Sequence, residues 1–186
     1  MSIIQKLVHQ ATLRTLTKLS DNENYRFLRS NYLFQELSAE AHLFLMKRIV
    51  ERHYAKGELI FKQENPGVSL FIVKQGGAEI YFREANDEKT VYAVARPGSL
   101  FGELSVLFAS ERTATAKATE NNTALLTLST FDFQELDKQL PQDGIKILKS
   151  ITRTIVDNLI ETTKRYQGAN LQVKEQTRRL EKHEIR

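Results

Sequence analysis

With 186 residues, 41% of them hydrophobic, the chain is long enough for one well-buried core with helical additions and too short for two full-sized domains. It has no cysteine, which excludes a disulfide framework and a thiolate zinc site and points to a reducing, cytoplasmic compartment. The formal charge of +4 is uneven: residues 1–20 hold three Lys/Arg and no acid, 145–186 hold ten basic and five acidic residues, and the middle holds 14 basic against 18 acidic, so the positive charge is not on the folded centre where a nucleic-acid reader concentrates it.

Residues 3–19 place Ile3, Ile4, Leu7, Val8 and Ala11 at helical spacing between Lys6, Gln10 and Arg14, which predicts an amphipathic helix packed on the domain. The stretch "SDNEN" at 20–24 breaks that pattern and supplies caps for the next helix. Short helices are then expected through residue 50, with Ser38 as an N-cap. No apolar stretch approaches the roughly 20 residues of a membrane span, and there is no secretory leader pattern, so no membrane partner is expected.

From about residue 51 the period shortens. Runs rich in Tyr, Ile, Phe and Val alternate with Gly57, Pro66-Gly67, Gly76-Gly77, Pro97-Gly98 and Asn121-Asn122, which predicts seven or so short strands, with one beginning at Arg112. There is no room for parallel crossovers, so the fold class is α+β: an antiparallel β-roll, a jelly-roll-like double-stranded β-helix, flanked by N-terminal helices and a long C-terminal helix. After "TFDFQELDKQLPQDG", that last helix is read from Leu148, Ile151, Ile155, Leu159, Thr162, Tyr166, Ala169, Val173 and Leu180, interrupted at most at Gly168.

The chemistry concentrates in "LFGELSVLFASERTATAKA", residues 100–118. A helical turn over 102–108 presents unpaired backbone N–H groups to an anion, Gly102 allows close backbone approach, and Ser105 has no bulk to block it. Arg112 can add a bidentate, permanently charged fork. Glu103 cannot serve a phosphate, but an acceptor-only carboxylate suits a sugar hydroxyl, so a ribose phosphate satisfies both residues. The spacing is equally compatible with a structural salt bridge between Glu103 and Arg112. His9, His42, His53 and His183 lack metal-ligand spacing, and no nucleophile elbow or P-loop is present, so no metal, no catalytic residue and no enzyme activity are expected.

This stretch resembles the phosphate-binding cassette of the cyclic nucleotide-binding domain family, the sensor domain of catabolite activators and protein kinase regulatory subunits. Phe101, Gly102, Glu103, Leu104, Leu107, Arg112, Thr113 and Ala114 match its pattern, and Ser105 stands where Ala or Gly is common; Glu111 departs from a frequent Pro. Upstream, Gly57, Glu58, Ile60, Gln63, Gly67, Phe71 and Gly76 match a second pattern, with Glu64 in place of Gly and Val68 in place of Asp.

The resemblance covers about 25–166, leaving 1–24 as an N-terminal helix and linker and 167–186 as a helical extension. It implies a sensor that binds cAMP or cGMP, with no other cofactor. Glu103 would hold the ribose 2′-hydroxyl and Arg112 the cyclic phosphate, helped by backbone N–H groups at Gly102, Leu104 and Ser105. Thr113 and Ala114 would lie beside the phosphate or purine, and Asn158, Thr162 or Tyr166 would cap the base. The Thr113 hydroxyl is compatible with cGMP; the reading leans to cAMP.

About 20 residues follow Tyr166, too few for the helix-turn-helix of a transcription regulator, so no direct DNA binding is expected. The expected partners are a second copy through the C-terminal helix and an effector protein. The alternatives are the sensing part of a catabolite-activator-type regulator without its DNA-binding domain, and a non-binding dimerisation scaffold.

Overall fold

Two polar residues open the helical part of the fold. Asn22 Oδ1 accepts the Tyr25 N–H at 3.1 Å at the head of α1 (Glu23–Ser30), and Ser38 Oγ accepts the Ala41 N–H at 3.1 Å at the head of α2 (Ala39–Met46). Each such cap satisfies a donor that the helix itself cannot, worth about 1 kcal/mol. The structure is a computed structural model that describes residues 19–83 and 89–184, with side chains to 168. The helix expected over 3–19 therefore lies outside the described residues, apart from Leu19, as do the side chains of Ala169, Val173 and Leu180.

The strands follow as β1 (Val50–Tyr54), β2 (Leu59–Phe61), β3 (Ser69–Gln75), β4 (Ala78–Arg83), β5 (Lys89–Ala95) and β6 (Leu100–Phe101). After a short helix α3 (Glu103–Phe108) come β7 (Thr115–Ala118) and β8 (Thr123–Ser129). They form two four-stranded sheets, in the orders β1-β8-β3-β6 and β2-β7-β4-β5, with every pairing antiparallel. This is the expected roll. The strand beyond the expected seven is the two-residue β6, too short to carry a periodic signal of its own.

Side chains alternate along each strand, so one set from each sheet meets its counterpart. Tyr54, Phe71, Val73, Phe101 and Leu125 of the first sheet pack with Ala78, Ala95, Ala116 and Ala118 of the second. Small alanines opposite large residues let the layers come close. The other face of β3 and β8 is also buried, through Leu70, Ile72, Leu126 and Leu128, and Leu28, Leu45, Leu136 and Ile147 of the helices are fully buried as well.

Polar ties hold these helices in place. Lys74 on β3 reaches Glu23 on α1 at 2.9 Å and Glu51 on β1 at 3.1 Å. Asp143 accepts from Ser38 N–H at 2.9 Å and Ser38 Oγ at 2.6 Å. Burial alone would raise the Asp143 carboxyl, but the Ser38 bonds and Lys146 outweigh it and hold the group below its ordinary range.

Residues 130–139, unassigned by periodicity, form helix α4 (Thr130–Gln139), capped by Ser129 Oγ accepting from Asp132 N–H at 3.1 Å. Helix α5 (Pro141–Glu184) follows at once, with proline in the first helical position, where its missing donor costs nothing, and no interruption at Gly168. The chain divides into two compact units, Met1–Leu148 and Lys149–Arg186. The second consists of the remaining turns of α5, in which Leu159 is 63% and Tyr166 69% exposed. Among the described residues no helix is long and apolar enough to cross a membrane.

Candidate functional site

Strand β6 delivers the chain to the site. Its Phe101 pairs with Phe71 of β3, and the next residue, Gly102, takes a left-handed φ of +74° that turns the backbone into α3. That conformation favours glycine, and a Cβ there would also lie 2.7 Å from Arg112 Nη1. Glu103 is the first residue of α3 and only 9% exposed; Ser105, one residue further along after the half-buried Leu104, is 2% exposed. The helix ends at Ala109, itself left-handed at φ +48°.

Arg112 reaches the same place from the other side. Contrary to the expectation it does not begin a strand; β7 starts at Thr115, and Thr113 and Ala114 form a bend between them. The reason lies in its backbone bonds, which go to the β2–β3 loop: Arg112 N–H donates to Asn65 O and Glu64 N–H to Arg112 O, both at 2.9 Å. Glu111 is exposed while Arg112 is 5% exposed, so the neighbouring carboxylate faces away.

Among the described residues the guanidinium is held by neutral oxygens and rings. Nη1 donates to Gly102 O at 2.9 Å and Ser105 Oγ at 2.7 Å, and Nη2 to Ser69 O at 2.7 Å. Its central carbon sits 4.2 Å from the Phe61 ring centroid and 5.4 Å from that of Phe71, cation–π contacts that soften the burial of charge. Among the described residues no ion pair joins Arg112 to Glu103, so the salt-bridge alternative is not what the fold builds. Burial pushes the Glu103 carboxyl above its ordinary range, against the pull of its own N–H and of Arg112. Burial likewise pushes Arg112 down to about 10, partly offset by Glu103, and the group remains protonated at neutral pH.

Of the residues singled out in the sequence, Gly102 caps α3, Glu103, Leu104 and Ser105 form its first turn, and Arg112 reaches Gly102 and Ser105. Sequence reasoning missed Ser69, Phe61 and Phe71 as partners of Arg112, and it gave Ser105 a small side chain and a backbone N–H but no role for its hydroxyl. The motif around Gly67 held a further clue. A Cβ on Gly67 would lie 2.0 Å from Ser105 Cβ and 3.0 Å from Ser110 O, so glycine is needed there because Ser105 fills the space. Thr113 is exposed and Ala114 half-buried. Of the three candidate base caps, Asn158 is half-buried and Thr162 and Tyr166 are exposed, all on α5 in the second unit. His42 is buried, its Nδ1 2.9 Å from Ser38 O, and His53 is exposed.

Residues 51–139 match the family model described as the cyclic nucleotide-binding domain. The chain is 34% identical over 117 residues to a cGMP-dependent protein kinase of Plasmodium berghei, a match covering 63% of this chain and 13% of the kinase. It is 32% identical over 114 residues to the cyclic AMP receptor protein of Thermus thermophilus, covering 61% of this chain and 52% of that protein. The crystal structure of the Thermus thermophilus catabolite activator protein aligns with a TM-score of 0.60 at 30% identity, over 69% of this chain and 60% of that one. Each match spans less than two thirds of the relative's own length. The matched segment contains the short helix that carries Glu103 and the loop that carries Arg112, and it is over this segment that the chain is similar to the cyclic nucleotide-binding domain family.

Proposed function

We propose that this domain binds a cyclic nucleotide, with cAMP preferred over cGMP, and acts as a regulatory sensor without catalytic activity of its own. One observation carries the reading. Glu103 and Arg112 are opposite charges buried in the same cassette, yet they are not paired with each other. Burying two charges with no direct ion pair between them costs stability, and titratable groups perturbed in this way mark a binding site. A ribose cyclic phosphate answers both: its 2′-hydroxyl donates to the Glu103 carboxylate, and its phosphate accepts from Arg112 and from backbone N–H groups at the start of α3. Relatives named for cGMP and for cyclic AMP support the ligand class and leave the base open. The exposed Thr113 hydroxyl and one of Asn158, Thr162 and Tyr166 are the groups proposed to meet the base.

In this reading the sensor works in a reducing, cytoplasmic setting and passes its signal through α5 to a second copy and an effector protein. Ligand shifts an existing equilibrium of helix positions, because only differential contact with two states transmits a signal.

Calorimetric titration of cAMP and cGMP against the wild type and Arg112→Ala tests the ligand. Removing one partner of a buried charge-assisted contact costs about 2 to 5 kcal/mol, so the variant should bind at least about 30-fold more weakly. Unchanged affinity in Arg112→Ala removes the assignment, and a wild type that binds neither nucleotide but dimerises is the scaffold of the alternative reading.

A further inference from the structure

An arginine side chain has five N–H donors, and the way Arg112 distributes them is uneven. Nη1 donates to Gly102 O at 2.9 Å and to Ser105 Oγ at 2.7 Å. Nη2 has one strong bond, to Ser69 O at 2.7 Å; its other contact, Ser69 Oγ at 3.4 Å, lies at the outer limit for a hydrogen bond. Nε is buried and has no partner among the described residues. The spare donors therefore share one edge, Nε with Nη2, which is a fork that a phosphate accepts in bidentate fashion.

Ser105 is built into this arrangement. Its hydroxyl donates to Gly102 O at 3.1 Å while accepting from Arg112, so both its rotor and its lone pair are engaged. Its Cβ fills the place that a side chain on Gly67 would take, which holds the serine from behind. Alanine, common at this position in similar cassettes, has no oxygen to offer, and Nη1 would then be one acceptor short in a buried setting.

We propose that Ser105 is a positioning residue for the anion site: its hydroxyl, together with Gly102 O, occupies Nη1 and turns the Nε–Nη2 edge of Arg112 toward the phosphate of the nucleotide. The proposal rests on the functional reading above and deepens it. Because every acceptor in the clamp is neutral, the guanidinium is oriented without losing its charge to a carboxylate, and the full charge stays available to the ligand.

The test is a double-mutant cycle in the full chain, read by calorimetry with whichever of cAMP and cGMP binds more tightly, alongside nitrogen-15 NMR of the ligand-free guanidinium. Ser105→Ala should weaken binding about tenfold, since it removes a hydrogen bond to a charged group. In an Arg112→Lys background the same change should alter affinity by less than about twofold, because an ammonium has no edges to orient. In the spectra, separate Nη hydrogen signals of Arg112, identified by their loss in Arg112→Lys, should merge in Ser105→Ala as the clamp is released. Equal weakening in both backgrounds, unchanged affinity in Ser105→Ala, or merged signals already in the wild type overturns the proposal while leaving the functional reading intact. A wild type that binds neither nucleotide overturns that reading and the proposal with it, and it is seen in the wild-type titration alone.

Discussion

At Glu103 burial raises the carboxyl's hold on its proton, and the sign of the consequence can be worked out. The folded-state value lies above the unfolded one, so this group's contribution to stability is complete below the ordinary carboxylate range and is lost as pH rises through the raised value. A ligand hydroxyl that donates to the carboxylate favours the ionised form, which lowers the raised value and expels a proton on binding. Calorimetric enthalpies of nucleotide binding should therefore depend on buffer ionisation enthalpy at acid pH, where the carboxyl holds a proton before binding, and lose that dependence at alkaline pH. In Glu103→Gln the dependence should vanish at both. If it survives there at the acid pH, another group is taking up the proton and Glu103 does not meet the hydroxyl.

The β2–β3 loop shows how an element absorbs a departure from the family's pattern. Glu64 stands where glycine is usual, and it adopts φ +69° all the same, because its N–H bonds Arg112 O and the loop closes on the cassette. Holding a residue with a Cβ in the left-handed region costs about 1 to 2 kcal/mol, whereas glycine costs about 0.4 to 1 kcal/mol through greater freedom in the unfolded chain. Glu64→Gly is therefore expected to stabilise the protein by up to about 1 kcal/mol, raising the thermal midpoint by about 2 to 4 °C with nucleotide affinity unchanged. A lower midpoint would show that the Glu64 side chain contributes more than its strain costs. The second departure, Val68 in place of Asp, falls on a side chain that is 65% exposed; the backbone does the structural work, with Val68 O accepting from Thr130 N–H at 2.9 Å.

For the whole molecule the open question is what the second unit meets. Residues 149–184 continue α5 for about 50 Å, and Val156, Leu159, Ile160 and Tyr166 are exposed along it. An apolar stripe on a helix of this length is the kind of surface a second copy covers in a parallel coiled coil. Sedimentation of the full chain should give a dimer at micromolar concentration, and a version ending at Leu159 should give a monomer. If both remain monomers with and without nucleotide, the dimer is excluded and the signal must leave through another surface.

The cassette was legible in the sequence because its determinants are local: Gly102 turns the chain, Glu103 and Ser105 follow within one helical turn, and Arg112 returns within ten residues. The roll was legible for the same reason, since strand periods and turn residues are near-neighbour properties. Helix α4 escaped because its buried face reduces to Leu136, too sparse to set a period, although Ser129 and Asp132 mark its start. What Arg112 touches was decided by the tertiary structure alone. Ser69 lies 43 residues away along the chain, and Phe61 and Phe71 belong to strands of different sheets. Strand register and the approach of the two sheets bring them to the guanidinium, and neither follows from residue type or spacing. Whether Glu103 and Arg112 would pair or stand apart was open for the same reason: the sequence placed both charges in the cassette, and the fold gives Arg112 the neutral partners Phe61, Ser69 and Ser105 with no ion pair to Glu103 among the described residues.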